Sequence, residues 1–124
     1  MRLIILDRDG VINQDSDAFI KSPDEWVPIP GSLEAIARLN HTGYRVVVAT
    51  NQSGIVRGLF DLETLNLIHK KMYRMVQEVG GLIDAVFFCP DVDEAHPYRK
   101  PNPGMLLEIV RRLKYSLQGV PVVG

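Results

Sequence analysis

The 124-residue chain is the size of one domain, since domains most often run to ~100–150 residues, and a second full domain is not expected. With 46% hydrophobic and 23% charged residues it sits near the globular average, neither disordered nor membrane-embedded, and a formal charge of −1 from 14 basic and 15 acidic residues leaves no basic stripe for a nucleic-acid backbone. The lone Cys89 cannot close an internal disulfide, and the first apolar run is cut off by Asp7 before it could serve as a signal peptide or membrane span, so a cytoplasmic protein is expected.

Leu3-Ile4-Ile5-Leu6 is continuous apolar sequence without polar alternation, as in a strand covered on both faces of a parallel sheet. The stretch from Asp9 to Pro30, rich in Asp, Ser and Pro, is long for a connection in an α/β domain and reads as a functional flap over 10–30, with Trp26 anchoring it to the core. Ser32 to Asn40 follows as a short helix ending near Gly43, and Arg45-Val46-Val47-Val48-Ala49 as a second buried strand.

Leu62, Leu65, Ile68, Met72, Met75, Val76 and Val79 recur at steps of three and four, which predicts a helix opened by Asp61 as N-cap and stopped at Gly80-Gly81. Ala85-Val86-Phe87-Phe88 is a third strand. Asn102-Pro103, an N-cap followed by proline at the first helical position, opens a helix carrying Leu106, Ile109, Val110 and Leu113, and Val120 to Val123 reads as a fourth buried strand. The whole is β-α-β-α-β-α-β: a single α/β domain over residues 1–124, a Rossmann-like parallel sheet with flanking helices and no large cap domain.

Ligands of such sheets bind beyond the carboxyl ends of the strands. Asp7-Arg8-Asp9-Gly10 runs off the first strand, Thr50-Asn51-Gln52-Ser53-Gly54 off the second, and Arg99-Lys100 lies a few residues past the third. Two carboxylates at i and i+2 beside one another are costly unless a cation and hydrogen-bond donors offset their repulsion, which implies a divalent metal. In this reading Asp7 is nucleophile and metal ligand, and Asp9 reaches the leaving-group oxygen as general acid and later activates water. Thr50, the N–H groups of the following turn and Lys100 stabilise a phosphoryl group in transfer. Each motif alone is an ordinary turn or polar loop; their joint order after buried strands carries the reading.

Asp7-Arg8-Asp9-Gly10-Val11-Ile12-Asn13, Thr50 to Gly58 and Arg99-Lys100-Pro101-Asn102-Pro103-Gly104-Met105 resemble the motifs of the haloacid-dehalogenase superfamily of phosphatases, over the whole chain. The closer likeness is to the branch acting on heptose bisphosphates and histidinol phosphate. The resemblance implies Mg²⁺-dependent release of phosphate from a small phosphosugar through an aspartyl-phosphate, in a monomer without nucleic-acid or membrane partners; heptose phosphate belongs to lipopolysaccharide synthesis. It places Asp7 and the Asp9 backbone carbonyl on Mg²⁺, Thr50 and Lys100 on the phosphoryl group, and Asp15, Ser16, Asp17, Ala18, Asn51, Gln52, Ser53, Arg99 and Lys100 on substrate. Arg8 and Arg57 read equally as functional members of their motifs and as solvated or loop-bracing arginines. His41 and His69 read as non-ligand histidines, one at a helix end and one flanking an amphipathic face.

Two departures qualify the likeness. The family's fourth strand leads into an acidic loop that completes the Mg²⁺ shell, whereas this sequence ends at Val122-Val123-Gly124; the resemblance therefore implies that the last part of the fold is missing, with reduced or absent turnover by these residues, or a phosphosugar-binding remnant. The zinc clamp of many members corresponds to Cys89, Asp91, His96 and Tyr98, only two of them good ligands, so Zn²⁺ is not expected. A phosphoacceptor receiver module is the main non-enzymatic rival, but receivers carry the acceptor aspartate after the third strand, where this chain has Cys89-Pro90.

Overall fold

The computed structural model describes residues 2–90, 96–97, 99–100, 102, 104–114 and 119–124. Four parallel strands, β1 (Arg2–Leu6), β2 (Tyr44–Asn51), β3 (Ala85–Cys89) and β4 (Val122–Val123), stand in the order β3-β2-β1-β4. Helices α1 (Ser32–His41), α2 (Leu62–Glu78) and α3 (Gly104–Leu113) connect them, and a single 3-10 turn, Pro23–Glu25, lies within the flap. The register pairs Ile4 with Val46, Val48 with Val86, and Ile5 with Val122.

The absence of polar alternation in the strands has the expected cause. Successive side chains point to opposite faces, and both faces are covered. Ile4, Leu6, Val46 and Val48 pack with Leu33 and Ile36 of α1, with Ile68, Met72 and Val76 of α2, and with Trp26 of the flap. On the other face Leu3, Ile5, Val47 and Ala49 pack with Met105, Ile109 and Val110 of α3. The two cores thus interleave residue by residue along β1 and β2. Each fully buried aliphatic side chain contributes roughly 1.5–3 kcal/mol against leaving it in water.

The helix ends follow local chemistry. The Asp61 carboxylate accepts from Thr64 N at 2.7 Å, capping α2 as expected, and Gly80 takes a left-handed φ of 84° just past its end. At α1 the cap is Gly31, and Ser32 instead donates through Oγ to the Ile12 carbonyl at 2.7 Å, tying the helix to the root of the flap. α3 is described from Gly104, Asn102 donates through Nδ2 to the His96 carbonyl at 3.0 Å, and Pro103, the expected first helical position, lies outside the described residues.

Val122 and Val123 of the expected fourth strand pair with β1 and, flanked among the described residues by β1 alone, are 46% and 43% exposed. The flap is built as a stem with a loop on top. Gln14 N donates to the Val27 carbonyl and Ile29 N to the Ile12 carbonyl, at 2.8 and 2.9 Å. Trp26 is fully buried, and Lys71 of α2 donates to the carbonyls of Pro23 and Trp26, both at 2.8 Å. Among the described residues, no helix is long and apolar enough to cross a membrane.

Candidate active site

The carboxyl ends of β1 and β2 are neighbours, so Asp7 and Thr50 leave the sheet side by side. Asp7 N donates to the Val123 carbonyl at 2.7 Å, which fixes the backbone just before the chain turns. The Asp7 carboxylate accepts from Arg8 N at 2.8 Å and meets Lys100 Nζ at 3.1 Å, both through Oδ1. Lys100 is held from two further directions. Its Nζ donates to the Ala49 carbonyl at 2.7 Å, while its backbone N and O exchange bonds with the Asn51 amide at 3.0 and 3.1 Å.

After Asp9, Gly10 adopts a φ of 82°, open to glycine at little cost, and the chain folds back on itself. The N–H groups of Val11, Ile12 and Asn13 all donate to the Arg8 carbonyl, at 3.2, 2.8 and 3.2 Å, and none of them to the carbonyl of Asp9.

A cleft of about 280 Å³ opens where these elements meet, lined by Asp7, Asp9, Asp15, Ser16, Asp17, Phe19, Thr50, Asn51, Ser53, Arg99 and Lys100. All four residues expected to carry the chemistry, Asp7, Asp9, Thr50 and Lys100, line it, as do Asp15, Ser16, Asp17, Asn51, Ser53 and Arg99 from the expected substrate set. Ala18 and Gln52 do not. Ala18 N donates to Ser16 Oγ at 3.1 Å and its carbonyl accepts from Lys21 Nζ at 3.0 Å, shaping the flap loop from within. Gln52 is 2% exposed, and its Nε2 donates to Asp9 Oδ2 at 2.9 Å and Thr50 Oγ1 at 3.0 Å, bracing two site residues from behind.

Five participants were not legible as such in the sequence. Phe19 lines the cleft with a φ of 65°, unusual for a non-glycine residue, and the Arg57 guanidinium lies 5.8 Å from its ring centroid. Arg57 also donates through Nε to Ser53 Oγ at 3.2 Å, so it braces the loop. Arg8, one of the two arginines read as solvated or bracing, has no exposed surface: its Nε and Nη2 donate to Asp9 Oδ1 at 3.1 and 2.8 Å, and its Nη1 to His69 Nε2 at 3.1 Å. Asn13, also fully buried, adds a third donor to the same Oδ1 at 3.0 Å. His69 lies buried within α2; burial, and after it the Arg8 charge, push its imidazole down to about 3 against an opposing pull from Asp9. The signal available in advance was the placement of a histidine next to Ile68 on the apolar face.

Magnesium prefers hard oxygen donors and keeps several waters; the Asp7 carboxylate and the Asp9 carbonyl, which accepts no hydrogen bond among the described residues, are donors of that type. Zinc would need nitrogen or sulfur donors. Cys89 Sγ lies 3.9 Å from His96 Nδ1, Asp91 and Tyr98 fall outside the described residues, and among the described residues no group of three His, Cys, Asp or Glu side chains could hold a metal.

Residues 2–120 match the model of the polynucleotide kinase 3 phosphatase family. A D-glycero-beta-D-manno-heptose-1,7-bisphosphate 7-phosphatase of Bordetella bronchiseptica is 61% identical over the whole of this chain and 70% of its own length. The protein of the same name from Pseudomonas putida is 53% identical, over the whole of this chain and 71% of its length. The crystal structure of D,D-heptose 1,7-bisphosphate phosphatase from B. bronchiseptica, complexed with magnesium and phosphate, superposes with a TM-score of 0.96 at 61% identity, over all of this chain and 70% of that one. The chain belongs to the haloacid-dehalogenase family of phosphatases, in the group that the polynucleotide kinase 3 phosphatase model describes.

Proposed function

We propose that this protein is a Mg²⁺-dependent phosphatase that removes the 7-phosphate of D-glycero-D-manno-heptose 1,7-bisphosphate through an aspartyl-phosphate on Asp7. The observation that carries the chemistry is the convergence of Asp7, Asp9, Thr50 and Lys100 on one open cleft at the carboxyl ends of β1 and β2. The sugar follows from relatives at 61% and 53% identity that bear that name.

In this reading the Asp7 carboxylate attacks phosphorus, and the bond to the sugar oxygen breaks as Asp9 delivers a proton to it. Water then attacks the acyl phosphate, Asp9 takes the water's proton, and phosphate leaves. Lys100, fixed by the Ala49 carbonyl and the Asn51 amide, holds Asp7 in place and balances the negative charge on the transferring group. Thr50 Oγ and the backbone around Asn51 and Ser53 face the phosphoryl oxygens. Asp7 and the Asp9 carbonyl would hold Mg²⁺, which when bound neutralises the phosphate and Asp7 together. Asp15, Ser16, Asp17 and Arg99 contact the sugar from the flap and from beyond β3, with Ala18 and Gln52 shaping those contacts from behind. The protein acts as a monomer in the cytoplasm on a free metabolite, supplying heptose phosphate for lipopolysaccharide.

The test is ³¹P NMR of heptose 1,7-bisphosphate incubated with the protein and Mg²⁺. The expected result is loss of the 7-phosphate resonance with the anomeric phosphate retained, stopped by EDTA and restored by excess Mg²⁺. Release of the anomeric phosphate, or no release at all, would sink the reading.

A further inference from the structure

A fully buried arginine, Arg8, sits between the two catalytic aspartates in sequence and reaches back to a histidine 61 positions away. From the hydrogen-bond geometry around Asp9 we infer that Arg8, Asn13 and His69 form a positioning device that reserves Oδ1 of Asp9 as a fixed anchor and leaves Oδ2 as the oxygen that gives and takes the proton. The inference rests on the role of Asp9 as general acid in the proposed function and specifies how that role is built.

A carboxylate oxygen that already accepts three hydrogen bonds has no lone pair left for a proton. Oδ1 is in that state: it accepts from Arg8 Nε at 3.1 Å, Arg8 Nη2 at 2.8 Å and Asn13 Nδ2 at 3.0 Å. Among the described residues Oδ2 accepts only from Gln52 Nε2, at 2.9 Å, and that amide also reaches Thr50 Oγ1 beside the cleft. The proton for the leaving oxygen therefore resides on Oδ2. When the sugar–oxygen bond to phosphorus breaks, the Oδ2 proton goes to that oxygen; when water attacks, the same oxygen takes a proton back, so the device resets each cycle.

His69 fixes the device. A guanidinium only donates, so His69 Nε2 must accept from Arg8 Nη1, which leaves its proton on Nδ1 and its ring neutral. With Nη1 held by α2, Nε and Nη2 are both directed at Asp9. Asn13 is likewise fixed. Its Nδ2 also donates to the Gln14 carbonyl at 2.9 Å, and turning the amide over would set its oxygen against the Asp9 carboxylate. The three residues act through Asp9 and are positioning residues rather than catalytic ones.

The experiment exploits leaving groups. A sugar or alkyl alkoxide needs a proton to depart, whereas p-nitrophenolate does not, and kcat/KM reports the steps through formation of the acyl phosphate. His69→Leu removes the acceptor for Arg8 and should lower kcat/KM for the sugar phosphate about tenfold or more, a fraction of what a lost general acid costs, while p-nitrophenyl phosphate falls by no more than about threefold. Arg8→Lys should widen the gap further. His69→Gln keeps an acceptor oxygen and should restore most of the sugar-phosphate rate, which also guards against a Leu variant that is merely misfolded. Equal losses on both substrates in folded variants, or no rescue by His69→Gln, would overturn the inference. If the wild type ignores heptose bisphosphate, that defeats the substrate assignment alone, and the comparison is made with a simple alkyl phosphate; a wild type inert toward every phosphomonoester defeats both.

Discussion

Asp9 draws on several parts of the chain: Arg8 and Asn13 from its own turn, Gln52 from the loop after β2, and His69 behind Arg8. Asp9→Asn keeps the shape and most of these contacts but cannot deliver a proton, so it should cost ~10²–10⁴ in kcat on the sugar phosphate, measured by steady-state phosphate release, and it should lower the melting temperature because buried Arg8 loses its counter-charge. His69 gives a separate, thermodynamic prediction. Its imidazole is held down at about 3 in the folded protein by burial and by Arg8, while in the unfolded chain it returns to its ordinary 6.5. Between those two values the unfolded state binds one more proton, so this residue's contribution is fully present above 6.5 and is lost as pH falls toward 3. Urea unfolding at a series of pH values should show stability falling by up to ~1.4 kcal/mol per pH unit from this group, and His69→Gln should flatten that limb.

At the scale of elements, the flap is where local sequence and tertiary packing meet. Its length marked it in the sequence, and Trp26 marked its anchor. What the sequence could not supply was the anchor's partner, since Lys71 lies on a helix far along the chain, where it binds the carbonyls of Pro23 and Trp26 and stands 5.9 Å from the Trp26 ring centroid. Trp26→Ala should destabilise the fold by roughly 3–5 kcal/mol, by cavity formation in the core beneath α1 and α2. It should also raise KM in the variant that remains folded at low temperature, because Asp15, Ser16 and Asp17 stand on the same stem; thermal denaturation and kinetics check the two parts separately. The strands and α2 were legible because both-face burial and a seven-residue apolar stripe are local patterns. The Arg8–His69 contact was not, because a bond between partners 61 residues apart leaves no periodic trace.

For the molecule as a whole, the alternation of one core's residues with the other's along β1 and β2 means that neither can melt without loosening the other. A single cooperative transition is expected. Far-UV circular dichroism follows the helices and sheet, while the sole tryptophan, Trp26, reports only the flap side, so coincident melting curves support one unit and separated curves contradict it. The same interleaving holds the ends of β1 and β2 in fixed register, and with them Asp7 and Thr50. The pre-set geometry of four groups from three segments is what phosphoryl transfer requires, since the protein's contribution there is positioning and electrostatics.

In the proposed reaction Asp7 becomes phosphorylated during turnover. Borohydride added to the protein while it turns over substrate in Mg²⁺ reduces an acyl phosphate, and peptide mass spectrometry then locates the product. Homoserine is expected in place of Asp7, dependent on substrate and absent from Asp7→Asn, which should release no phosphate. Full turnover with an unmodified Asp7 peptide, or undiminished turnover by Asp7→Asn, would contradict it.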